Sequence, residues 1–381
     1  MRRDFMIIGG GVVGLAVAYG LARRGRSVCV VDEHDGSLRA SRGNAGLIWV
    51  QGKGADMPRY AQLSLASSRA WPAFAQELTE RTGVALEYEQ RGGVDLCMNE
   101  TEAEALSADY RALYDTVWAR EAGVRWEYLD RQALSEHLPG LGPEVHGGTW
   151  TPHDGHCNPL YLLRALTAAN LALGVDILPN HPVECVVSSD IVGSETAVSE
   201  HGFHAETPQG RIDAERVVVA AGLGANRLAP MLGLAGQVHP VRGQVLISER
   251  LAPSGRLPMP QIRQTASGGY LIGDVLEHVG MDTRVTLETV HALARRAVAI
   301  YPDLAQARLV RSWGALRVMT PDGSPIYEAS RSHPGAYNLS CHSGITLAAF
   351  HAGELADAID DGALTQRYPE FCTRRFHADP S

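Results

Sequence analysis

The stretch IIGGGVVGLAVAYGLARRG, residues 7–25, decides the fold of this chain. The apolar run 5–8 leads into it, and a second apolar run, 27–31, follows it and ends at Asp32. Buried parallel strands are continuous apolar runs, and a helix of small and apolar residues can connect two of them. We therefore predict a βαβ unit: a strand, a glycine turn, a helix over 12–24 and a second strand.

The glycine turn fits the binding of a dinucleotide. Gly9, Gly11 and Gly14 satisfy GxGxxG between the predicted strand and helix. The first glycine permits the tight turn, the second lets the backbone approach a pyrophosphate, and the third lets the helix pack on the strand. Asp32 follows Gly14 by 18 positions and is placed to accept hydrogen bonds from an adenosine ribose. The unit serves NAD and FAD alike, because its acidic residue excludes chiefly the 2′-phosphate of NADP.

The composition excludes several classes of function. A length of 381 residues suggests two domains at about 100–200 residues each. The net charge of −9, from 34 basic and 43 acidic residues, offers no stripe that could neutralise nucleic-acid phosphates. The six cysteines form no CxxC pair and no zinc-type cluster, so we expect reduced thiols, no disulfide and no metal.

Residues 5–22 carry no charge and are nearly long enough to span a bilayer. Asp4 precedes them directly, glycines cluster at 9–14, and no cleavage-type sequence follows. We therefore expect a cytoplasmic protein, free or peripheral to the membrane.

The rest of the chain shows hydrophobic patterns typical of helices and strands, and no internal repeat or linker divides it. The loop 35–54 is too rich in glycine and too long for an idle connection, so we expect it to touch a ligand. The stretch 188–210 is polar and predicts no regular element. Helices are predicted over 58–82, 102–122, 160–173, 287–300 and 344–359, and strands over 94–98, 175–178, 183–187, 216–221, 241–248, 270–273, 313–319 and 337–340.

Further blocks occur in order along the chain: SRGNAG at 41–46, DGHCNP at 154–159, VVVAAG at 217–222, PVRGQ at 240–244, LRVMTPDGSPI at 316–326 and SGITLAA at 343–349. With the first block they make nearly the whole chain resemble the D-amino-acid oxidase/glycine oxidase superfamily of FAD-dependent amine oxidoreductases. The stretch GNAGLIWVQGKG at 43–54 is most similar to the FAD-carrying subunits of D-hydroxyproline dehydrogenase-type enzymes.

This resemblance implies an α/β fold in which a Rossmann-type, GR2-like FAD-binding domain is interleaved with an antiparallel-sheet α+β substrate domain. The FAD-binding domain would comprise 1–50, 145–235 and 310–381, and the substrate domain 51–144 and 236–309.

The resemblance also implies which residues hold FAD. They are small or polar residues that let backbone N–H groups reach the phosphates, an arginine that offsets phosphate charge, and the start of a helix whose dipole faces the flavin pyrimidine. The set is Gly9, Gly11, Gly14, Asp32, Glu33, Ser41, Arg42, Asn44, Ala45, Gly46, Val183, Ala221, Gly222, Gly344, Ile345 and Thr346. His342 is a candidate neighbour of the flavin, or a structural histidine.

Two residues are candidates for the substrate pocket. Arg317 stands where the family places its carboxylate-binding arginine, and a guanidinium can grip a carboxylate through two parallel hydrogen bonds. Val318 replaces the proline common there. Tyr270 could add a hydroxyl to the pocket or could serve packing alone. Sarcosine-oxidase-like relatives attach FAD to a cysteine at the position of Ala315, so non-covalent FAD is expected here.

The implied reaction is hydride transfer from the α-carbon of a small amino or imino acid to flavin N5. D-proline or D-hydroxyproline is the favoured substrate, while glycine, sarcosine, linear D-amino acids and opines fit the same arginine. Oxygen, a quinone or a partner subunit could take the electrons, and electron-transfer subunits could make a hetero-oligomer. A nicotinamide-dependent dehydrogenase, an electron-passing subunit of a larger complex and a non-catalytic flavin scaffold remain alternatives.

Overall fold

The computed structural model describes residues 2–33, 37–192 and 199–377. Strands and helices alternate along these residues. The strands are β1 (Arg3–Ile8), β2 (Val28–Val31), β3 (Leu47–Ile48), β4 (Gly93–Cys97), β5 (Glu127–Asp130), β6 (Gly147–Thr151), β7 (Gly155–His156), β8 (Asp176–Leu178), β9 (Cys185–Val192), β10 (Ser199–Thr207), β11 (Gly210–Val219), β12 (His239–Arg250), β13 (Ile262–Gln264), β14 (Gly269–Ile272), β15 (Leu309–Met319), β16 (Ile326–Ala329) and β17 (Ala336–Ser340). The helices are α1 (Val12–Arg23), α2 (Pro58–Thr82), α3 (Glu100–Tyr114), α4 (Val117–Glu121), α5 (Arg131–His137), α6 (Pro159–Ala172), α7 (Ala225–Leu228), α8 (Leu287–Ile300), α9 (Ala348–Phe350), α10 (Ala356–Asp360) and α11 (Leu364–Arg367).

The largest sheet has the strand order β16-β17-β11-β1-β2-β8. Strands β17, β11, β1, β2 and β8 run parallel, and β9 and β10 extend the sheet from β11 as an antiparallel pair. Successive residues of β1 face opposite sides, so Phe5 and Ile7 pack with α1 while Met6 and Ile8 pack with the α7 side. Both faces are therefore covered, as a Rossmann-type parallel sheet requires.

A second layer consists of antiparallel sheets. The strands β13-β14-β12-β15 form one sheet, and β4-β6-β5 form a smaller one. Leu246 and Ile272 of the first sheet share a core with Val94 of the second and with Leu293 and Ile300 of α8. The predicted fold class, a parallel sheet with an antiparallel α+β part, is confirmed.

Three elements differ from the predicted domain boundaries. β15 hydrogen-bonds to β12 along nearly its whole length, so 310–319 lie in the antiparallel sheet rather than with the FAD-binding part. β6 pairs with β4 and β5, which moves 147–151 the same way. Conversely, Trp71 of α2 is fully buried in the core that contains α1, so this helix packs on the parallel sheet. Strand pairing and core burial therefore cross the predicted boundaries.

Two predicted elements also differ. The helix predicted over 344–359 begins with a turn and reaches α-helical form only at α9, because Ala348 N bonds to Ile345 O in a tighter turn. Gly353 then interrupts the helix with non-helical angles, and its carbonyl accepts a hydrogen bond from Arg24 on α1. The stretch 188–210 carries strand β10, which polar composition concealed because the β9–β10 pair lies at the edge of its sheet.

Candidate functional site

A cavity of about 980 Å³ opens along the carboxyl edge of the parallel sheet. In α/β folds with this topology, ligands bind at that edge. Twelve of the predicted cofactor residues line the cavity: Gly9, Gly11, Asp32, Glu33, Ser41, Arg42, Asn44, Val183, Ala221, Gly222, Gly344 and Ile345. The segments that the sequence separates widely are thus brought to one site.

The glycine turn has the geometry of a nucleotide cradle. Gly9 has φ +115°, and a Cβ atom there would lie 2.3 Å from the carbonyl oxygen of Ala220 on the neighbouring strand. A Cβ atom at Gly14 would lie 2.0 Å from the carbonyl oxygen of Gly9, so this glycine lets α1 rest directly on the turn. Side chains at either position would collide with the backbone, so the two glycines let strand, turn and helix pack closely enough for the start of α1 to face a pyrophosphate.

Polar side chains hold the turn in place. Gly10 N donates to Asp32 Oδ2 over 2.7 Å, and Val12 N donates to Ser41 Oγ over 3.0 Å. The carboxylate at the end of β2 therefore fixes the turn, at the place where we predict the adenosine ribose to bind. Ser41 serves as an acceptor for the first turn of α1, which is a helix N-terminus of the kind that binds anions.

Backbone and charged side chains form the end of the cavity where we predict adenine to bind. Val183 lines it, and its carbonyl oxygen accepts a hydrogen bond of 2.7 Å from Arg227. Glu33 and Arg39 form an ion pair on the rim. These contacts form the wall of the site that the sequence assigned to the ADP half.

The loop after Arg42 is locked by a buried arginine that sequence reasoning missed. Arg263 of β13 donates to Ala45 O and, over 3.3 Å, to Cys157 O. Asn44 Oδ1 accepts from Gly46 N over 2.7 Å. Ala45 and Gly46 do not line the cavity; they hold the loop that carries Asn44 into it.

The segment after β17 closes the other end of the cavity. Cys341, His342, Gly344 and Ile345 line it. Burial, with Lys53 and Arg317 nearby, lowers the pKa of His342 to about 3, so this imidazole is neutral at physiological pH. Thr346 points elsewhere: its hydroxyl accepts from Trp49 N over 3.0 Å and ties the loop 47–54 to this segment.

β15 presents one face to the cofactor loop. Trp313 Nε1 donates to Gly43 O over 3.1 Å, and a Cβ atom on Gly43 would lie 2.3 Å from Cβ of Ala315. Alternate residues of a strand share a face, so Arg317 lies on this same side of the sheet.

The Arg317 guanidinium is partly buried and donates to Val275 O over 2.7 Å. Burial lowers its pKa, while the more distant Asp274 and Glu277 oppose that shift. Among the described residues, no carboxylate forms a direct ion pair with it. Arg317 itself does not line the cavity, whereas Trp313, Leu316 and Val318 of the same strand do, so its contact with a substrate carboxylate stays a prediction.

The structure places Tyr270 away from this face. Tyr270 is 2% exposed and packs with Ile272 against α8, while its hydroxyl accepts a hydrogen bond from Arg256. Its neighbour Leu271 pairs with Arg263, which is on the cofactor side. Strand alternation thus assigns Tyr270 to the core of the antiparallel part, which favours the packing role over the pocket hydroxyl, the two roles that the sequence left open.

Lys53 is a second residue that sequence reasoning missed. It is the only lysine among the 34 basic residues of the chain, and that signal was present in the sequence. Burial lowers its pKa to about 8, with Asp154 and Cys341 opposing and Arg317 adding to the shift. Its loop is tied to the segment after β17 through the hydrogen bond from Trp49 N to the Thr346 hydroxyl, but Lys53 itself does not line the cavity.

The described residues were searched for metal-ion sites and for membrane-spanning helices. No cluster of three or more His, Cys, Asp or Glu side chains within them could hold a metal ion. None of the helices within 2–33, 37–192 and 199–377 is both long and apolar enough to cross a membrane.

The cradle at α1, the acidic end of β2 and the antiparallel sheet over the cavity define a dinucleotide-dependent oxidoreductase. The particular family follows from comparison with known proteins: the chain belongs to the DAO family, FAD dependent oxidoreductase, whose model matches residues 4–358. FAD is its cofactor, and the predicted superfamily and enzyme class are confirmed.

Individual relatives differ in reaction. The chain is 40% identical to an opine oxidase subunit of Agrobacterium tumefaciens (strain Ach5) over 375 residues, which cover 98% of each chain. It is 29% identical to glycine oxidase of Geobacillus kaustophilus, covering 94% of this chain and 93% of that one. The crystal structure of glycine oxidase from Geobacillus kaustophilus superposes with a TM-score of 0.83 at 28% identity, covering 94% and 95% of the two chains. The D-hydroxyproline dehydrogenase-type specificity is not confirmed by these relatives.

Proposed function

We propose that this chain is the FAD-carrying subunit of an enzyme that oxidises the CH–NH bond of an opine. Opines are secondary amines in which the nitrogen of an amino acid also bears a carboxyalkyl group. The similarity to the opine oxidase subunit over 98% of both chains supports this substrate class over D-proline.

The observation that carries the proposal is the position of Arg317. It shares a strand face with Trp313 and Ala315, which contact the loop at Gly43. A planar guanidinium there can hold a substrate carboxylate through two hydrogen bonds and so fix the α-carbon against the cofactor. No side-chain base is required of the chain if the nitrogen enters as the free amine.

When bound, FAD supplies the two-electron acceptor for the α-hydrogen and its electron pair. The chain contributes the cradle at α1, the neutral His342 and the antiparallel sheet that covers the reacting carbon. Ala315 offers no nucleophile to the flavin, so we propose that FAD is held without a covalent bond. Water would hydrolyse the imine product.

The relative's designation as a subunit supports assembly with partner chains that receive the electrons. Oxygen or a quinone is the alternative acceptor for the isolated chain.

An anaerobic titration of the FAD-loaded protein tests the substrate class. The panel contains an N-(1-carboxyethyl) amino acid, glycine, sarcosine, D-proline and D-hydroxyproline. We expect the visible flavin band to bleach with the N-carboxyalkyl compound at concentrations where the other four leave it unchanged. Bleaching by glycine or D-proline alone would contradict the proposal, as would a protein that stays colourless after reconstitution with FAD.

A further inference from the structure

The guanidinium of Arg317 lies directly against the backbone of β12. Arg317 pairs with Val241 across the β12–β15 ladder, and Gly243 is its diagonal neighbour on the same face of the sheet. A Cβ atom on Gly243 would lie 2.5 Å from Nη1, 2.9 Å from Cζ and 3.0 Å from Nη2 of Arg317. The guanidinium therefore occupies the space that any side chain at position 243 would need.

A backbone carbonyl holds one end of the guanidinium. Arg317 Nη1 donates to Val275 O over 2.7 Å, and this is the only hydrogen bond of the guanidinium within the described part of the chain. The N–H groups of Nε and Nη2 form the opposite edge, where two parallel donors match the two oxygens of a carboxylate. The bond to Val275 O thus uses an N–H group that this edge does not need.

The bonded carbonyl belongs to a segment on the far side of β12. Arg242 pairs with Leu316 of β15 on one side and, as an isolated bridge, with Glu277 on the other. The Arg317 side chain therefore starts on β15, crosses β12 at Gly243 and ends at the segment that contains Glu277. A crossing of this kind is possible only where the middle strand carries no side chain on that face.

This segment is anchored to β12 beside the crossing. Glu277 and Arg242 exchange backbone hydrogen bonds of 3.0 and 2.9 Å. The Glu277 carboxylate also accepts from Arg242 Nε over 2.8 Å and from Gln244 Nε2 over 2.9 Å. Thr289 Oγ1 of α8 donates to the same carboxylate over 2.9 Å. The carbonyl of Val275 therefore lies two residues from a fixed point on the strand that the arginine crosses.

A fixed guanidinium favours the binding of a carboxylate. A long side chain loses rotamer freedom when it binds a ligand, and one that is already held in a single orientation loses less. Geometry matters as much, because two parallel hydrogen bonds require the donor edge to face the carboxylate in its own plane.

We propose that Gly243 is a positioning residue for Arg317: its missing side chain lets the guanidinium cross β12 to Val275 O, which presets the Nε–Nη2 edge for a carboxylate of the substrate. The proposal rests on the role of Arg317 in the proposed function. Gly243 does not line the cavity, so its effect should reach the substrate and not FAD.

The dissociation constant of thiodiacetate, measured from the flavin spectrum of the FAD-loaded protein, tests this role. Thiodiacetate has a sulfur atom where an opine has its amine nitrogen, so it binds without being oxidised to an imine. In Gly243→Ala we expect its affinity to fall at least about tenfold while the flavin content stays unchanged. The collision is with the end of a flexible side chain, so the variant should fold.

Gly273→Ala is the matched control, since it adds the same methyl group beside the same sheet. The nearest atom to its Cβ is Gln244 O at 3.6 Å, an ordinary contact distance. We expect its affinity for thiodiacetate to change less than about twofold.

The same substitution in an Arg317→Lys background separates positioning from a general effect on the sheet. Lysine keeps the positive charge but has no planar group to meet the new methyl. We expect Gly243→Ala to weaken thiodiacetate binding less than about threefold in that background. Equal losses in both backgrounds would overturn the positioning role.

Arg317→Ala separates the failure of this proposal from the failure of the proposed function. If Arg317→Ala weakens thiodiacetate binding at least about tenfold while Gly243→Ala binds it as the wild type does, only the role of Gly243 fails. If Arg317→Ala binds thiodiacetate as tightly as the wild type, the role of Arg317 fails, and that of Gly243 fails with it. If the wild-type flavin bleaches with none of the five substrates, the proposed function fails.

Discussion

The nucleotide half of the cavity comes from one local unit, β1, α1 and β2, whereas the substrate-facing half is assembled from distant segments. In the first half, Gly9, Gly14 and Asp32 lie within a single stretch and contact one another through the backbone. In the second half, Trp313 of β15 and His342 after β17 line the same cavity, although β15 and β17 belong to different sheets. A local motif therefore forms the predicted cofactor cradle, whereas long-range packing forms the part of the cavity that we propose for the substrate.

Among these substitutions, Gly9→Ala in the glycine turn should have the largest effect on the nucleotide half of the cavity. The new Cβ atom would lie 2.3 Å from Ala220 O, at φ +115°. We expect the flavin content of the purified protein to fall more than about tenfold, because the turn must move away from β11. Gly25→Ala is the control, since Gly25 also has positive φ but has no atom within 4 Å of the added Cβ. Full flavin content in Gly9→Ala would contradict the cradle.

Asp32→Asn weakens the cofactor half without new bulk. The amide keeps an acceptor for Gly10 N but loses the charge that strengthens the 2.7 Å hydrogen bond. We expect the FAD dissociation constant to rise about tenfold, measured by quenching of flavin fluorescence. Glu33→Gln on the half-exposed rim should change it less than about threefold. The reverse order would show that the acid at the end of β2 does not contact the cofactor.

Tyr270→Phe should have the smallest effect. The hydroxyl accepts from Arg256 inside the substrate domain, so its removal should cost about 1 kcal/mol of unfolding free energy. We expect the rate of flavin reduction by substrate to change less than about twofold. A tenfold slower reduction, with stability unchanged, would return Tyr270 to the pocket.

The sequence predicts the two parts of the molecule unequally. Helices α2 and α8 begin and end where their patterns predict, since a periodic apolar face sets both ends. Arg317 was predicted through the family resemblance of its motif, and its role stays a prediction. Tyr270 was left with two roles because alternation shows that a strand has two faces without showing which one meets the cofactor. Arg263 and Lys53 gave no motif at all, and only the fold reveals that they lie beside residues far along the chain.

The central claim is that the antiparallel sheet orients the substrate while the βαβ unit holds FAD, and Arg317→Ala tests it most directly. Flavin content and the rate of anaerobic flavin reduction by an N-(1-carboxyethyl) amino acid are measured together in the wild type, Arg317→Ala and Arg317→Lys. We predict full flavin content in all three, a reduction rate at low substrate that falls at least about 100-fold in Arg317→Ala, and an intermediate rate in Arg317→Lys. An unchanged rate in Arg317→Ala, or loss of flavin along with activity, would contradict the account.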